Sequence, residues 1–559
     1  MNKKKRFFST MLLVLSVALG AAGCSKDAPA NDSKGANRNG AGSGGEQQRE
    51  KPFVLGEEPL SFSFYGNYDW FNMQPWGEDP ATKWIKDNKK VTVEAISSGG
   101  APEQKLNTMI ASGELPDVIF LERGSDVERL RKAGKLVALD DYFEKYPNLR
   151  KWLDPSALQM LRSEDGKLYQ FPNWHTTEPQ GNGGYMINKG IYKALGSPKL
   201  ETFDDLYAYL KLVKEKYPDV IPFETTIGGQ GVDVLYSGFA DDHPLLYLSQ
   251  LAVPEGNELK SILSDPVYRE SMLFASKLAR EKLLTPDALT QTLDQVRERM
   301  TTGRVAVIAA YNVMNIGGQG NMGLRDEEQD ESKKNDVGYQ LIWPLHKEGV
   351  DKNKVWPTQY DKLGWNVSVI TTAAKNPEGI FAYLDWQTGD EGQRVLTYGP
   401  EGLYWQGTDE IGTPIFKPEF YDDEKEYNRL YGVWDTFTWS ANSSFHRSIK
   451  ERVESQTPPE KAKKMAPPQP DYNLRTAFNG TAFVNLEPPA GSDEAIIAQK
   501  VDDIFKEARA KAIFAKSDEE VIALLDKAEN DALKAGYDKL LKYKTERWQE
   551  NLSKLNSGK

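Results

Sequence analysis

Histidines, the side chains most often used for acid–base chemistry near neutral pH, are few and scattered in this sequence, whereas acids are many but cannot be paired from sequence alone. His175, His243, His346 and His446 are the only histidines among 559 residues. Asp241-Asp242-His243 sets three potential metal ligands side by side, but neighbours on one turn rarely converge on a single ion, so a solvated turn is expected there. The charged run at 325–336 (RDEEQDESKKND) lacks the spacing of a calcium loop and reads as another solvated stretch. Neither a G-x-S-x-G elbow nor a phosphate-binding P-loop occurs. No cofactor and no metal are expected, and none of these motifs supplies a catalytic residue. Aromatic side chains are plentiful instead: 13 Trp, 25 Tyr and 22 Phe make up 11% of the chain. Several stand beside Gly, Asn or Pro and outside periodic apolar runs. Rings so placed suit stacking on the C–H faces of sugars, with core packing the alternative for each.

Presenting such rings requires rigid elements, and the order of elements indicates which. Residues 60–65 (LSFSFY) alternate as a strand does, 80–88 can form a short helix, and 91–96 is a second strand. Pro102 opens a helix with Leu106, Met109 and Ile110 on one face, and Gly113 ends it. The apolar strand 118–121 and a helix over 126–133 follow. Capping patterns at Thr202/Asp205 and Ser517/Glu520 mark two more helix starts, and Asn376-Pro377 a third. Helices alternating with short apolar strands predict an open α/β sheet, whose ligand crevice lies at the carboxyl ends of its strands.

The amino terminus fixes the compartment. Lys3, Lys4, Lys5 and Arg6 precede an apolar run at 7–19 that is too short to span a bilayer comfortably, which identifies a secretory signal. Ala21-Ala22-Gly23-Cys24 resembles the lipobox of bacterial lipoproteins, in which the signal is cut ahead of a lipidated cysteine. The resemblance implies a signal peptide over 1–23, a lipid on Cys24 and a chain held at the extracellular face of the cell membrane. Cys24 is the only cysteine. Once lipidated it is unavailable for thiol catalysis, disulfides or zinc. Residues 25–51 contain no bulky apolar side chain and read as a flexible tether, so 24–56 is expected to form the lipidated cysteine and its leash. The formal charge of -12 becomes -16 once the four basic signal residues are removed. An acidic chain without a basic patch is a poor nucleic-acid partner.

Larger motifs carry a specific resemblance. ASGELPDVIF (111–120), GKLVALDDYFEKYPNL (134–149), DGKLYQFPNW (165–174) and GYMINKGIYKALGSPKLETFDDLYAYL (184–210) resemble the family 1 extracellular solute-binding proteins of ABC importers. GRVAVIAAYNVM (303–314), NPEGIFAYLDWQTGDEGQRVLTYGPEGLYW (376–405) and the helical tail at 516–552 continue the likeness. The large lipoproteins of sugar and oligosaccharide uptake in Gram-positive bacteria are the most similar group. This resemblance implies a two-lobe periplasmic-binding-protein-like fold of type II, with a hinge between lobes and extra C-terminal helices. Lobe 1 is expected over 57–172 plus 366–400, and lobe 2 over 173–365 plus 401–559. The implied partners are a sugar and the transmembrane subunits of a permease.

In such a fold, aromatics and amides at strand ends and lobe crossings are the candidate ligand contacts. Asn67, Tyr68 and Trp70 follow the first strand and Arg123 the third. Trp174 stands at the first expected crossing, with Trp365 and Asn366 at the next. Tyr311 and Asn312 end the strand 305–310, and Trp405 closes a glycine-rich loop. Arg123, if it lines the cleft, offers a fork of donors suited to paired hydroxyls or a uronate carboxylate. Trp434 and Trp439 are outlying candidates. A tethered glycoside hydrolase or lyase is the competing expectation, and it would need two carboxylates facing across a sugar.

Overall fold

Two separate sheets organise the chain, each with its own apolar core. The computed structural model describes residues 51–557 apart from 70, 180, 331, 334–335, 423–436, 457–473 and 490. The signal, Cys24, all but the end of the tether, Trp70 and Trp434 lie outside the described residues.

The first sheet has five strands, in the spatial order Val91–Ile96, Leu60–Gly66, Val118–Glu122, Asn366–Ile370 and Gln170–Asn173. Its strands are β1 (Leu60–Gly66), β2 (Val91–Ile96), β3 (Val118–Glu122), β4 (Gln170–Asn173) and β12 (Asn366–Ile370). β1 is parallel to β2 and β3, whereas β12 runs antiparallel to both β3 and β4. Alternation along β3 sends Val118 and Phe120 to one face and Ile119 and Leu121 to the other, so both faces are apolar and both are covered. The helix Pro102–Ser112 contributes Leu106 and Met109 to one cover, and the helix Pro377–Thr388 contributes Ile380, Phe381 and Leu384 to the other.

The second sheet has four strands, in the spatial order Tyr339–Ile342, Gly184–Asn188, Val305–Ala310 and Ile221–Glu224. It comprises β5 (Gly184–Asn188), β6 (Ile221–Glu224), β9 (Val305–Ala310) and β10 (Tyr339–Ile342). Every residue of β9 is buried, as expected of a strand covered on both faces. The predicted capping box at Thr202 forms: Asp205 N donates to Thr202 Oγ1 at 3.1 Å, and Thr202 N donates to Asp205 Oδ2 at 3.0 Å. At Ser517 the pattern closes differently. Glu520 N donates to Ser517 Oγ, but the Glu520 carboxylate accepts from Lys516 N. The C-terminal helices Asp493–Ile513, Asp518–Ala535 and Tyr537–Ser557 pack on this second core through Val501, Ala512, Val521, Leu525 and Leu540. The last of them also reaches the first sheet, where Leu555 packs and Arg547 pairs with Glu164 at 3.7 Å.

Part of the stretch expected on sequence in lobe 2 packs on the core of the first sheet. Phe437 and Trp439 enter the first core, and Phe445, Ile449 and Val453 pack with Trp152, Tyr398 and Trp405. β4 explains the placement, because its end continues into Trp174, whose amide donates to Ala441 O at 2.8 Å. Trp439 is core, stacked 3.8 Å from the Phe64 ring. Residues 325–327 of the charged run end the helix Val313–Glu327, and Asp330 accepts from Ser332 N in the turn beyond.

Candidate functional site

Register brings the sequence candidates of the first sheet to a single edge. Gly66, the last residue of β1, pairs with Phe120, while Glu122 and Asn173 both pair with Asn366. Asn67, Arg123, Trp365, Asn366 and Trp174 therefore share the edge formed by the carboxyl ends of β1, β3 and β4. On the second sheet Ala310 pairs with Gly184, so Tyr311 stands where β5 begins.

A paired crossing joins these two edges. Asn173 Nδ2 donates to Asn366 Oδ1 at 2.9 Å and Thr176 N to Lys362 O at 3.3 Å. A Cβ on Gly183 would lie 2.9 Å from Pro357 O and 3.1 Å from Tyr311 O. Residues 173–176 thus run beside 362–366, and Gly183 beside Pro357, while β11 (Thr358–Tyr360) pairs in parallel with β15 (Ala477–Asn479). At Gly364 (φ +73) a Cβ would sit 1.8 Å from Asn173 O, so the two connections touch where only glycine fits. Strand carboxyl ends on either side of such a connection define the crevice of an open α/β fold.

Among the described candidates, two rings are exposed, one at the edge of each sheet. Trp365 is 42% exposed, its ring 5.5 Å from that of Tyr68, which is itself buried. Tyr311 is 37% exposed, while its hydroxyl donates to Asp233 Oδ2 at 2.7 Å and its amide to Gln230 Oε1 at 3.3 Å. Crowding by protein and the Asp233 carboxylate push the Tyr311 phenol up, so it stays a neutral donor. A ring that offers a face while its polar tip is tied down is a rigid stacking surface. Glu122 is exposed at the same edge as Trp365, and partial desolvation raises its carboxyl despite the adjacent Arg123.

Other candidates brace the edge. Trp174 is half-buried at φ 64, a conformation a non-glycine residue holds only when its surroundings impose it. Those surroundings are Ala441 O and the Ser443 hydroxyl, which donates to Trp174 O at 3.0 Å, with His446 edge-on to the ring. Asn366 is fully buried against Asn173 and beside the Tyr68 hydroxyl. Asn67 Oδ1 accepts from Tyr65 OH at 3.1 Å. Arg123 turns its fork to the crossing: it donates to Gly364 O and faces Asp361 Oδ2 at 3.4 Å. That placement leaves little of the guanidinium for the uronate role considered from sequence. Trp405 is 5% exposed, and its indole N–H donates to Gly399 O at 3.0 Å.

Asp233, Gln230 and Arg509 escaped the sequence reading, since nothing local links a tyrosine to partners far off in sequence. Glu122 was the readable omission, because it ends a strand next to a chosen residue. Asp241 and Asp242 pair with Lys354 at 3.4 and 3.8 Å. No cluster of three His, Cys, Asp or Glu able to hold a metal occurs among the described residues, and none of their helices is long and apolar enough to cross a membrane.

Two α/β sheets, each with its own core, joined by a paired crossing that carries exposed rings at strand ends, make up a type II periplasmic-binding-protein fold. Residues 72–394, more than half of the chain, match the family model described as bacterial extracellular solute-binding protein, and the chain belongs to that family. Three relatives are similar in sequence. The fructooligosaccharide ABC transporter substrate-binding protein FusA of Streptococcus pneumoniae is 27% identical over 51% of this chain and 53% of its own length. Lipoprotein LipO of Bacillus subtilis is 25% identical over 61% and 68%, and the melibiose/raffinose/stachyose-binding protein MelE of the same species is 24% identical over 64% and 78%. The matched region therefore spans about half the length of FusA. The solved structure of FusA with kestose superposes with a TM-score of 0.62 at 18% identity, covering 89% of this chain and 100% of that one, which establishes the shared fold.

Proposed function

We propose that this protein is the solute-binding component of an ABC importer, tethered outside the membrane by a lipid on Cys24, and that it captures an oligosaccharide between its two sheet edges for delivery to the permease. The observation that carries the reading is the pair of exposed rings, Trp365 on one edge and Tyr311 on the other, at the two ends of one paired crossing. A sugar touching both rings makes more contacts when the edges approach, and that difference in affinity drives closure about the hinge. Binding and release complete the cycle, so no bond in the sugar breaks. The names of FusA and MelE, both sugar binders, support the ligand class, and that of LipO supports the anchor.

The charges favour an uncharged sugar. Arg123 is spent on Gly364 and Asp361, and Arg509 behind Tyr311 pairs with Asp233 at 2.8 Å. Glu122 is left as an exposed acid at the edge, which repels a uronate. Calorimetry with kestose, raffinose, stachyose and a uronate oligomer, followed by an assay for new reducing ends, tests this. Binding of a neutral sugar without turnover supports the reading. Turnover supports the hydrolase, and preference for the uronate refutes the charge argument. Loss of the protein from the membrane fraction on Cys24→Ala tests the anchor separately.

A further inference from the structure

Behind Tyr311 lies a charge pair built from distant parts of the chain. Asp233 uses both carboxylate oxygens: Oδ2 accepts from the Tyr311 hydroxyl at 2.7 Å, and Oδ1 accepts from Arg509 Nε at 2.8 Å. The other two arms of the same guanidinium donate to Gly228 O at 3.0 Å and Gly229 O at 2.7 Å. Arg509 stands on the C-terminal helix Asp493–Ile513 and is almost fully buried.

The loop that this arginine grips has a strained backbone, held at its start by Glu224, whose carboxylate accepts from Thr226 N at 3.0 Å, and by Gln291, which donates to Thr226 O at 2.7 Å. Thr226, a β-branched residue, sits at φ 57, and Gly228 and Gly229 follow at 61 and 73. The helix Gln230–Tyr236 then begins without a side-chain cap. Its first residue, Gln230, accepts from both the Thr226 hydroxyl at 3.2 Å and the Tyr311 amide. A planar fork of five donors in fixed directions suits two successive carbonyls and a carboxylate at once. The approach is close: a Cβ on Gly229 would come within 3.1 Å of Arg509 Nη2.

We propose that Arg509 is a positioning residue for sugar binding: through Asp233 and the 226–229 loop, the C-terminal helices set the angle at which Tyr311 offers its ring. The appended helices then belong to the binding site as well as to the fold. This inference rests on the reading that Tyr311 contacts the sugar.

Mutant cycles by calorimetry test it, using the full mature chain and the neutral oligosaccharide of highest affinity from the panel above. Arg509→Gln and Tyr311→Ala should each weaken binding by about tenfold, yet Arg509→Gln added to Tyr311→Ala should cost less than about twofold more, because partners in one network are non-additive. Arg509→Lys, which keeps the charge but not the fork, should recover only part of the loss. Tyr311→Phe keeps the ring and cuts only its link to Asp233. It should weaken binding by about threefold with an unchanged melting temperature, and it decides the matter if Arg509→Gln fails to fold. Full additivity of Arg509→Gln with Tyr311→Ala, or wild-type affinity in Tyr311→Phe, overturns the proposal. Wild-type affinity in Tyr311→Ala instead sinks the sugar-contact reading beneath it.

Discussion

Alanine at Gly364 probes the contact point of the crossing, and Gly166 supplies a control. Both glycines have positive φ, +73 and +79, but a Cβ at Gly166 meets nothing within 4 Å. The left-handed backbone alone costs an L-residue roughly 1–2 kcal/mol, so that much is common to both substitutions. Gly364→Ala adds a collision. Asn173 O would lie 1.8 Å from the new carbon and must retreat by about 1.2 Å to reach even 3.0 Å. That oxygen belongs to the residue whose side chain holds Asn366, and the next amide, Trp174 N, donates to Ala441 O at 2.8 Å. Losing those two bonds, at about 1 kcal/mol each, brings the total to roughly 3–4 kcal/mol. Urea unfolding followed by far-UV circular dichroism gives the comparison. Gly364→Ala should be destabilised by roughly 2 kcal/mol more than Gly166→Ala and should bind sugar more weakly, since Trp174 moves with the displaced strand. Equal stabilities for the two variants would refute the close-packed crossing.

Trp365→Ala removes an exposed ring and should lower affinity by about tenfold or more while leaving the melting temperature nearly unchanged, as calorimetry and a thermal melt will show. Trp405→Ala should do the reverse, costing roughly 3–5 kcal/mol of stability because it empties a packed site, with the folded fraction binding normally. His175 is buried with Nε2 2.9 Å from Thr388 Oγ1, and burial pushes its imidazole down to about 4. The unfolded chain takes up that proton below about pH 6.5, whereas the fold resists it, so this contribution is complete above pH 6.5 and falls by roughly 3 kcal/mol as the pH drops to 4. Melting temperatures between pH 7 and 4 should accordingly fall more steeply for the wild type than for His175→Gln.

Local signals were the legible part of this protein. Alternation in 60–65, the apolar run at 305–310 and the caps at Thr202 and Asn376 each report on neighbours a few residues away, and each matches an element of the fold. Strand ends were legible for the same reason, which is how Trp365 and Tyr311 could be chosen. What a side chain does at a strand end depends on the register of distant strands. Arg123 looks like a ligand fork in sequence, and only the approach of Gly364 reveals its partner. Trp405 follows glycines as a loop residue would, yet Phe445, Ile449 and Val453 close over it. Arg509 reads as one more charge on an amphipathic helix until Asp233 is set against it.

Hydrogen exchange with and without the bound oligosaccharide tests the two-edge clamp most directly. A sugar held between the edges should slow exchange in peptides covering 119–123, 171–176, 309–313 and 362–368 together, from both sheets at once. Slowing confined to one sheet, or to surfaces away from Trp365 and Tyr311, would contradict capture between the lobes.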